Sequence, residues 1–241
     1  EIYQCDWSSD VCSSDLIERA FQVGRRNSNP FPRKFNVFPT DTVAMVRASR
    51  ESEGVEIAHA RWGLVPHWWK DAKLPNRPNH IARVEEAAGK PTWRDALKRS
   101  RCLIPAEGWY EWQELERMDP RTGEIVKAKQ PHYVRRADGA LACFAGLMAV
   151  WRPPEGEPLL SCAIMTVDAT GHLAQVHERA PVVLPESSYD AWLDRRLVDG
   201  VAIQALTDAR MPPEAFVHHP VRPLVNSARA DGPELIEPLL V

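Results

Sequence analysis

The stretch Cys102-Leu103-Ile104-Pro105-Ala106-Glu107-Gly108-Trp109-Tyr110-Glu111-Trp112-Gln113 decides the fold class, because it reads as two strands in succession, broken at Ala106-Glu107-Gly108. Along the second piece a period of two sets Trp109, Glu111 and Gln113 on one face. A carboxyl beside Trp109 and Trp112 is expected to be poorly solvated and to hold its proton tightly. The plainer alternative is a strand carboxylate that faces solvent or an arginine.

Downstream, residues 116–129 form a polar hairpin insertion around Pro120 and Gly123. Asp138-Gly139 predicts a tight hairpin turn between strands at 132–136 and 140–150. Residues 159–167 read as a buried strand, and a helix-like turn at 170–175 delivers His177. Ser187 or Ser188 is expected to cap a helix with the stripe Tyr189, Trp192, Leu193 and Leu197; a further helix at 199–209 and a strand at 216–221 follow. Upstream, 17–23 reads as the end of a helix, 25–34 as a basic loop, 42–46 and 55–64 as strands joined by a turn at 49–54, and 75–78 as a loop. Thr92 is expected to cap a helix whose apolar stripe is Trp93, Ala96 and Leu97. No internal repeat or linker divides residues 17–241. The fold expected is a single α+β domain on an antiparallel, partly closed, barrel-like sheet with peripheral helices.

The bulk properties are those of an ordinary soluble globular chain: 44% hydrophobic and 26% charged residues over 241 positions. No apolar run approaches a membrane span, so no membrane partner is expected. The formal charge of −3 excludes a broad basic coat, so contact with nucleic acid must be local. Nine Trp against four Tyr and six Phe is the unusual count, and tryptophan is both a core residue and a stacking platform for unpaired bases.

Residues 1–16 stand apart: they have no apolar periodicity and no basic residue, and they read as an in-frame translation of a sequencing adapter with its index. A disordered natural leader is the alternative. Of the 33 acidic residues Glu1, Asp6, Asp10 and Asp15 lie here, so removing them leaves 29 against 30 basic ones, a neutral remainder. Cys102, Cys143 and Cys162 then remain, each within an apolar run and none at a metal-ligand spacing, which reads as reduced, buried cysteine in a cytoplasmic protein without a metal or other cofactor.

A second polar site lies at His177-Glu178-Arg179, just before the apolar run Ala180-Pro181-Val182-Val183-Leu184. Polar groups at the mouth of a buried strand cost desolvation energy unless they are paired or used. His177 therefore reads either as a strand-end hydrogen bonder or as an acid–base residue that switches near neutral pH.

The blocks 35–40, 61–69, 82–85, 101–112, 129–131, 177–184 and 219–221, in this order, resemble the SOS response-associated peptidase family, whose members are abasic-site processing proteins. The similarity covers 17–240. It implies recognition of an abasic site in single-stranded DNA, covalent cross-linking through a cysteine at the mature amino terminus, and self-processing of whatever precedes that cysteine. The terminal amine forms a Schiff base with the opened sugar and the thiol closes a thiazolidine ring, so two nucleophiles on one residue share one aldehyde. By the same resemblance Glu111 and His177 shuttle protons, Asn36 and Arg83 lie around the DNA and its abasic sugar, and Arg179 meets phosphate or orients Glu111. Trp68 and Trp69 form a rim for stacking. For Asn36 and Arg83 a loop-fixing role, for Arg179 a structural ion pair, and for either tryptophan core packing are the competing readings.

Two positions depart from the family pattern. The terminal cysteine is missing, since Cys5 and Cys12 lie in the adapter-like segment and neither is followed by Gly-Arg. Ile81 stands where the family's Asn-Ala-Arg motif places a sensing asparagine, with Asn79 two residues earlier as a substitute. The expectation is a monomer, cytoplasmic and nucleoid-associated, acting on single-stranded DNA. A passive single-strand binder and a cysteine peptidase are the other two readings.

Overall fold

In the computed structural model, which describes residues 8–11, 14–23, 33–49, 54–119 and 121–239, β-branched and aromatic runs make twelve strands among the described residues. In chain order they are β1 (Ser8–Val11), β2 (Lys34–Val37), β3 (Thr42–Ala48), β4 (Val55–Trp62), β5 (Ile81–Arg83) and β6 (Arg101–Ala106). There follow β7 (Gly108–Met118), β8 (Ile125–Arg136), β9 (Ala142–Trp151), β10 (Leu159–Asp168), β11 (Arg179–Pro181) and β12 (Phe216–Pro220). The helices are short: α1 (Ser14–Phe21), α2 (Val84–Ala87), α3 (Arg94–Arg99), α4 (Tyr189–Leu193) and α5 (Gly200–Asp208). None among the described residues is long and apolar enough to cross a membrane. The basic loop expected at 25–34 lies almost wholly outside the described residues, as do Cys5, Cys12 and most of the turn at 49–54.

Strands β10, β4, β3, β6 and β9 close into a ring, since β9 pairs with β6 on one side and with β10 on the other. The expected barrel-like α+β domain is thus present. Four of its seams are antiparallel, but β4 and β10 run parallel, with Ser161 opposite Arg61 and Cys162 opposite Trp62. Those two strands are far apart in sequence, so no hairpin dictates their direction, and a long crossover permits a parallel pair. A second, five-stranded sheet has the order β12-β8-β7-β1-β2.

The chain passes from the barrel to the second sheet at Glu107, between the two strands read from residues 102–113. Gly108 is required there: a Cβ would come within 2.4 Å of the Tyr133 ring and 2.5 Å of the Val134 carbonyl. One core cluster joins Met45, Trp62, Ile104, Phe144 and Ile164 of the barrel to Trp109, Val134 and Phe216 of the second sheet. The Trp109 ring meets Phe144 and Phe216 edge-to-face, with centroids at 5.7 and 5.3 Å. Another cluster packs Leu103, Ala145 and Leu147 under Trp93, Trp192, Leu193 and Ile203 of the helical side.

Local readings fare unevenly. Asp138-Gly139 does turn, with Gly139 at φ +74°, but β8 and β9 do not pair. Strand β8 is already flanked by β7 and β12, and β9 by β6 and β10, so the turn carries the chain from one sheet to the other. Thr92 does not cap α3; Trp93 holds the cap position, and the Trp93 and Arg94 N–H groups already donate to the Lys90 carbonyl. Neither Ser187 nor Ser188 makes a side-chain cap at α4, whereas Asp199 caps α5 by accepting from the Ala202 N–H at 2.8 Å. Strand β1, inside the adapter-like segment, lies between β7 and β2 through backbone bonds that almost any residue can make.

The helical side is fastened by Arg101, which is 4% exposed. Its guanidinium donates to the carbonyls of Leu97, Lys98, Trp192, Asp194 and Leu197, at 2.6 to 3.0 Å. All five N–H groups are used, and the match depends on the planar fork. Arg101→Met should lower unfolding free energy by about 3 kcal/mol, with carbonyls left unpaired, and Arg101→Lys should recover less than half of it. Urea denaturation of the three forms checks this.

Candidate functional site

Alternation along β7 sorts its side chains. Trp109 and Glu111 face the barrel side, while Tyr110 and Trp112 face the C-terminal segment with Val221, Val225 and Leu235. The expectation that both tryptophans flank Glu111 is therefore corrected: Trp112 points away and donates its indole N–H to Asn226 Oδ1 at 2.8 Å. Glu111 itself is 3% exposed.

The 3₁₀ turn Gly171–Gln175 ends at Val176, and the His177 N–H donates to the Leu173 carbonyl at 3.1 Å. This brings His177 Nδ1 to 3.5 Å from Glu111 Oε2, so the two residues read as proton carriers from sequence stand together. Nδ1 also accepts from the Arg179 N–H at 3.1 Å and lies 3.2 Å from the Arg179 carbonyl. A bare Nδ1 suits the amide; a protonated one suits the carbonyl or the carboxylate. The imidazole has a partner in either state, which suits a group that must gain and lose a proton without moving.

Arg179, 9% exposed, is committed elsewhere. Its Nη1 lies 2.5 Å from both Glu85 and Asp168, and Nη2 donates to the Thr166 carbonyl at 2.7 Å. The ion pair, one of the readings open for Arg179, ties α2 to β10 and β11. The pairing with Arg179 holds the Glu85 carboxyl below its ordinary value. Arg83 stands exposed at the end of β5, next to this cluster. Asn36 is buried at 1% exposure, and its amide nitrogen donates to the carbonyls of Val225, Ser227 and Ala230, so it fixes the C-terminal loop. Trp68 is 43% exposed; Trp69 is half-buried, bonded through its indole to the Lys73 carbonyl. Both border loop 63–80 rather than the core. Asn79 bridges Leu64 and donates to its carbonyl at 3.1 Å.

Cys102, Cys143 and Cys162 are buried and free. Burial pushes the thiols of Cys143 and Cys162 up to about 12 and that of Cys102 upward as well, so none carries a reactive thiolate at neutral pH. Among the described residues no cluster of three or more His, Cys, Asp or Glu side chains is placed to hold a metal ion.

Sequence reading missed His132, which sits directly across from Glu111 in the β7–β8 ladder. The hairpin centred between Pro120 and Gly123 carried that register, since counting back from its turn pairs 111 with 132. Burial and the neighbouring His218 and His219 lower His132 from 6.5 to about 4. The unfolded chain binds this proton below pH 6.5, whereas the folded chain refuses it until about pH 4. Stability from this group is therefore complete above 6.5 and declines as pH falls toward 4. His132→Gln should flatten the stability–pH slope across that interval, measured by urea midpoints. Arg179→Met should lower stability by about 2 kcal/mol, discounted for its exposed partners, in the same urea measurement.

A family model described as SOS response associated peptidase (SRAP) matches residues 7–228. The chain is 33% identical over 203 residues to the abasic site processing protein YoqW of Bacillus subtilis, covering 84% of this chain and 85% of that one. It is 29% identical over 208 residues to the abasic site processing protein YedK of Escherichia coli, covering 86% and 85% respectively. A crystal structure of a Bacteroides thetaiotaomicron protein superposes with TM-score 0.73 at 20% identity, over 98% of this chain and 100% of that one, a likeness of fold. The chain belongs to the SOS response associated peptidase family.

Proposed function

We propose that this protein processes abasic sites in single-stranded DNA by forming a covalent adduct with the opened sugar, using Glu111 and His177 to move protons. The observation that carries the reading is the pairing of His177 Nδ1 with the buried Glu111 carboxyl at 3.5 Å. The matched relatives named as abasic site processing proteins supply the substrate.

The chemistry needs a terminal cysteine. Its amine adds to C1 of the ring-opened sugar, and loss of water leaves an imine; the thiol then adds across C=N, its sulfur to carbon and its proton to nitrogen. Ring opening removes a hydroxyl proton, dehydration delivers one to the departing oxygen, and ring closure moves the last. A carboxyl and an imidazole in contact can make these transfers in turn. Strand β1 supports delivery of the nucleophile: Asp10, Ser9 and Ser8 face Gly108, Trp109 and Tyr110, so its start runs toward Glu111. A cysteine placed just ahead of β1 reaches the site in that register. Removing residues that precede such a cysteine is the peptidase activity this reading includes. The exposed Arg83 and Trp68 are assigned to phosphate and base, with Trp69 supporting the rim. Asn36 is assigned to fixing the wall of the cleft.

The test uses a form of the chain whose first residue is a cysteine directly before β1. With single-stranded DNA bearing one abasic site it should give an adduct stable to heat and detergent, and the same form with serine in place of that cysteine should give none. Glu111→Gln or His177→Ala should slow adduct formation about a hundredfold while DNA affinity holds within about twofold. Binding without any adduct would remove the covalent reading and leave a passive single-strand binder.

A further inference from the structure

On the same face as Glu111 lies a set of hydrogen bonds whose directions follow from one another when both histidines are neutral. Gln113 Nε2 is 2.9 Å from the Gln175 carbonyl, which can only accept, so the Gln113 amide nitrogen must face it. Gln113 Oε1 therefore faces His132 Nε2, at 3.2 Å, and must accept, which places a hydrogen on Nε2. In neutral His132 the other nitrogen is then bare. It lies 3.2 Å from His218 Nδ1, which must carry the hydrogen between them. The His218 ring in turn stacks on His172, with centroids 5.4 Å apart and planes 12° from parallel.

Both ends of this set hold one element. Gln175 and His172 belong to the 3₁₀ turn Gly171–Gln175, which delivers His177 two residues later. His132 sits where the two ties meet, bonding Gln113 on one side and His218 on the other. We propose that His132 is a positioning residue for His177, acting through Gln113 and His218, and that its neutral form is what keeps His177 against Glu111. This rests on the proton-carrying role given to His177 above.

Glu111 from β7 and His218 from β12 share the face of His132, His172 of the turn stacks on His218, and His219 acts from the other face of β12 beside Tyr133. Protonated His132 would present Nδ1–H to the Nδ1–H of His218, so His218 must move its hydrogen to Nε2 or swing away from His132. Either change acts on the ring that stacks on His172 of the turn. Burial, and after it the neighbouring imidazoles, favours the neutral ring at His132 and at His218.

The experiment follows the His177 ring by NMR in the full chain across acid pH. Wild type should show two inflections for His177, one of them coincident with the titration of His132, and His132→Gln, which keeps a donor for Gln113, should show one. A single His177 inflection, the same in both forms, would overturn the proposal. In the form that begins with cysteine, His132→Phe should lower the limiting adduct rate roughly ten- to a hundredfold at unchanged half-saturating DNA concentration. His132→Gln should restore that rate at neutral pH and carry it to lower pH. Equal pH–rate profiles for wild type and His132→Gln would also overturn it. Should the wild-type cysteine form give no adduct, the functional reading fails, and the NMR comparison still decides the positioning role by itself.

Discussion

The pairing of β7 with β8 is the interaction on which the rest of the site depends. Its register sets Glu111 opposite His132 and Gln113 opposite Gln130. A slip of one residue would turn Glu111 toward the C-terminal segment and Trp112 into the core, since side chains alternate with a period of two. The register is locked on both faces. On one, Trp109 is wedged edge-on between Phe144 and Phe216. On the other, the Tyr110 hydroxyl donates to the Phe35 carbonyl and the Trp112 indole to Asn226. Burying a carboxyl is costly, and this double lock resists the slip that would relieve it.

The same logic explains why so many polar residues near the site serve the backbone. Asn36 spends its amide on three carbonyls of the segment that covers Tyr110 and Trp112. Arg179 spends its guanidinium on Glu85, Asp168 and Thr166, and its backbone N–H on His177. One arginine thus ties α2, β10 and β11 together and orients the imidazole that follows the turn.

Much of the architecture was legible because it is written in local pattern. The two strands of residues 102–113, the polar hairpin, the buried strand at 159–167 and the turn before His177 all appear where alternation and turn residues placed them. The pairing of Glu111 with His177 came from ordered resemblance across the chain, and no local signal joins residues so far apart. What escaped was decided by partners distant in sequence. The corner at Asp138-Gly139 looks like a hairpin because nothing local reveals that both flanking strands are already paired. Trp112 and Trp109 look equivalent around Glu111 until the period of two is followed to opposite cores. His132 was hidden in a run read only as strand, although the hairpin register reached it.

These features together divide the labour within the site. Glu111, His132 and Gln113 sit on two long, fully laddered strands, and His177 follows a turn held by a hydrogen bond at Gln175 and a ring stack at His172. The proton-carrying apparatus is thereby complete without the nucleophile, which the proposed chemistry would bring on the short strand β1. That strand is held between β7 and β2 by main-chain pairing. On the chemistry proposed above, geometric order lies in the acid–base pair, while the residue consumed in the adduct would arrive by backbone pairing alone, which places the geometric demand where it would lower the barrier.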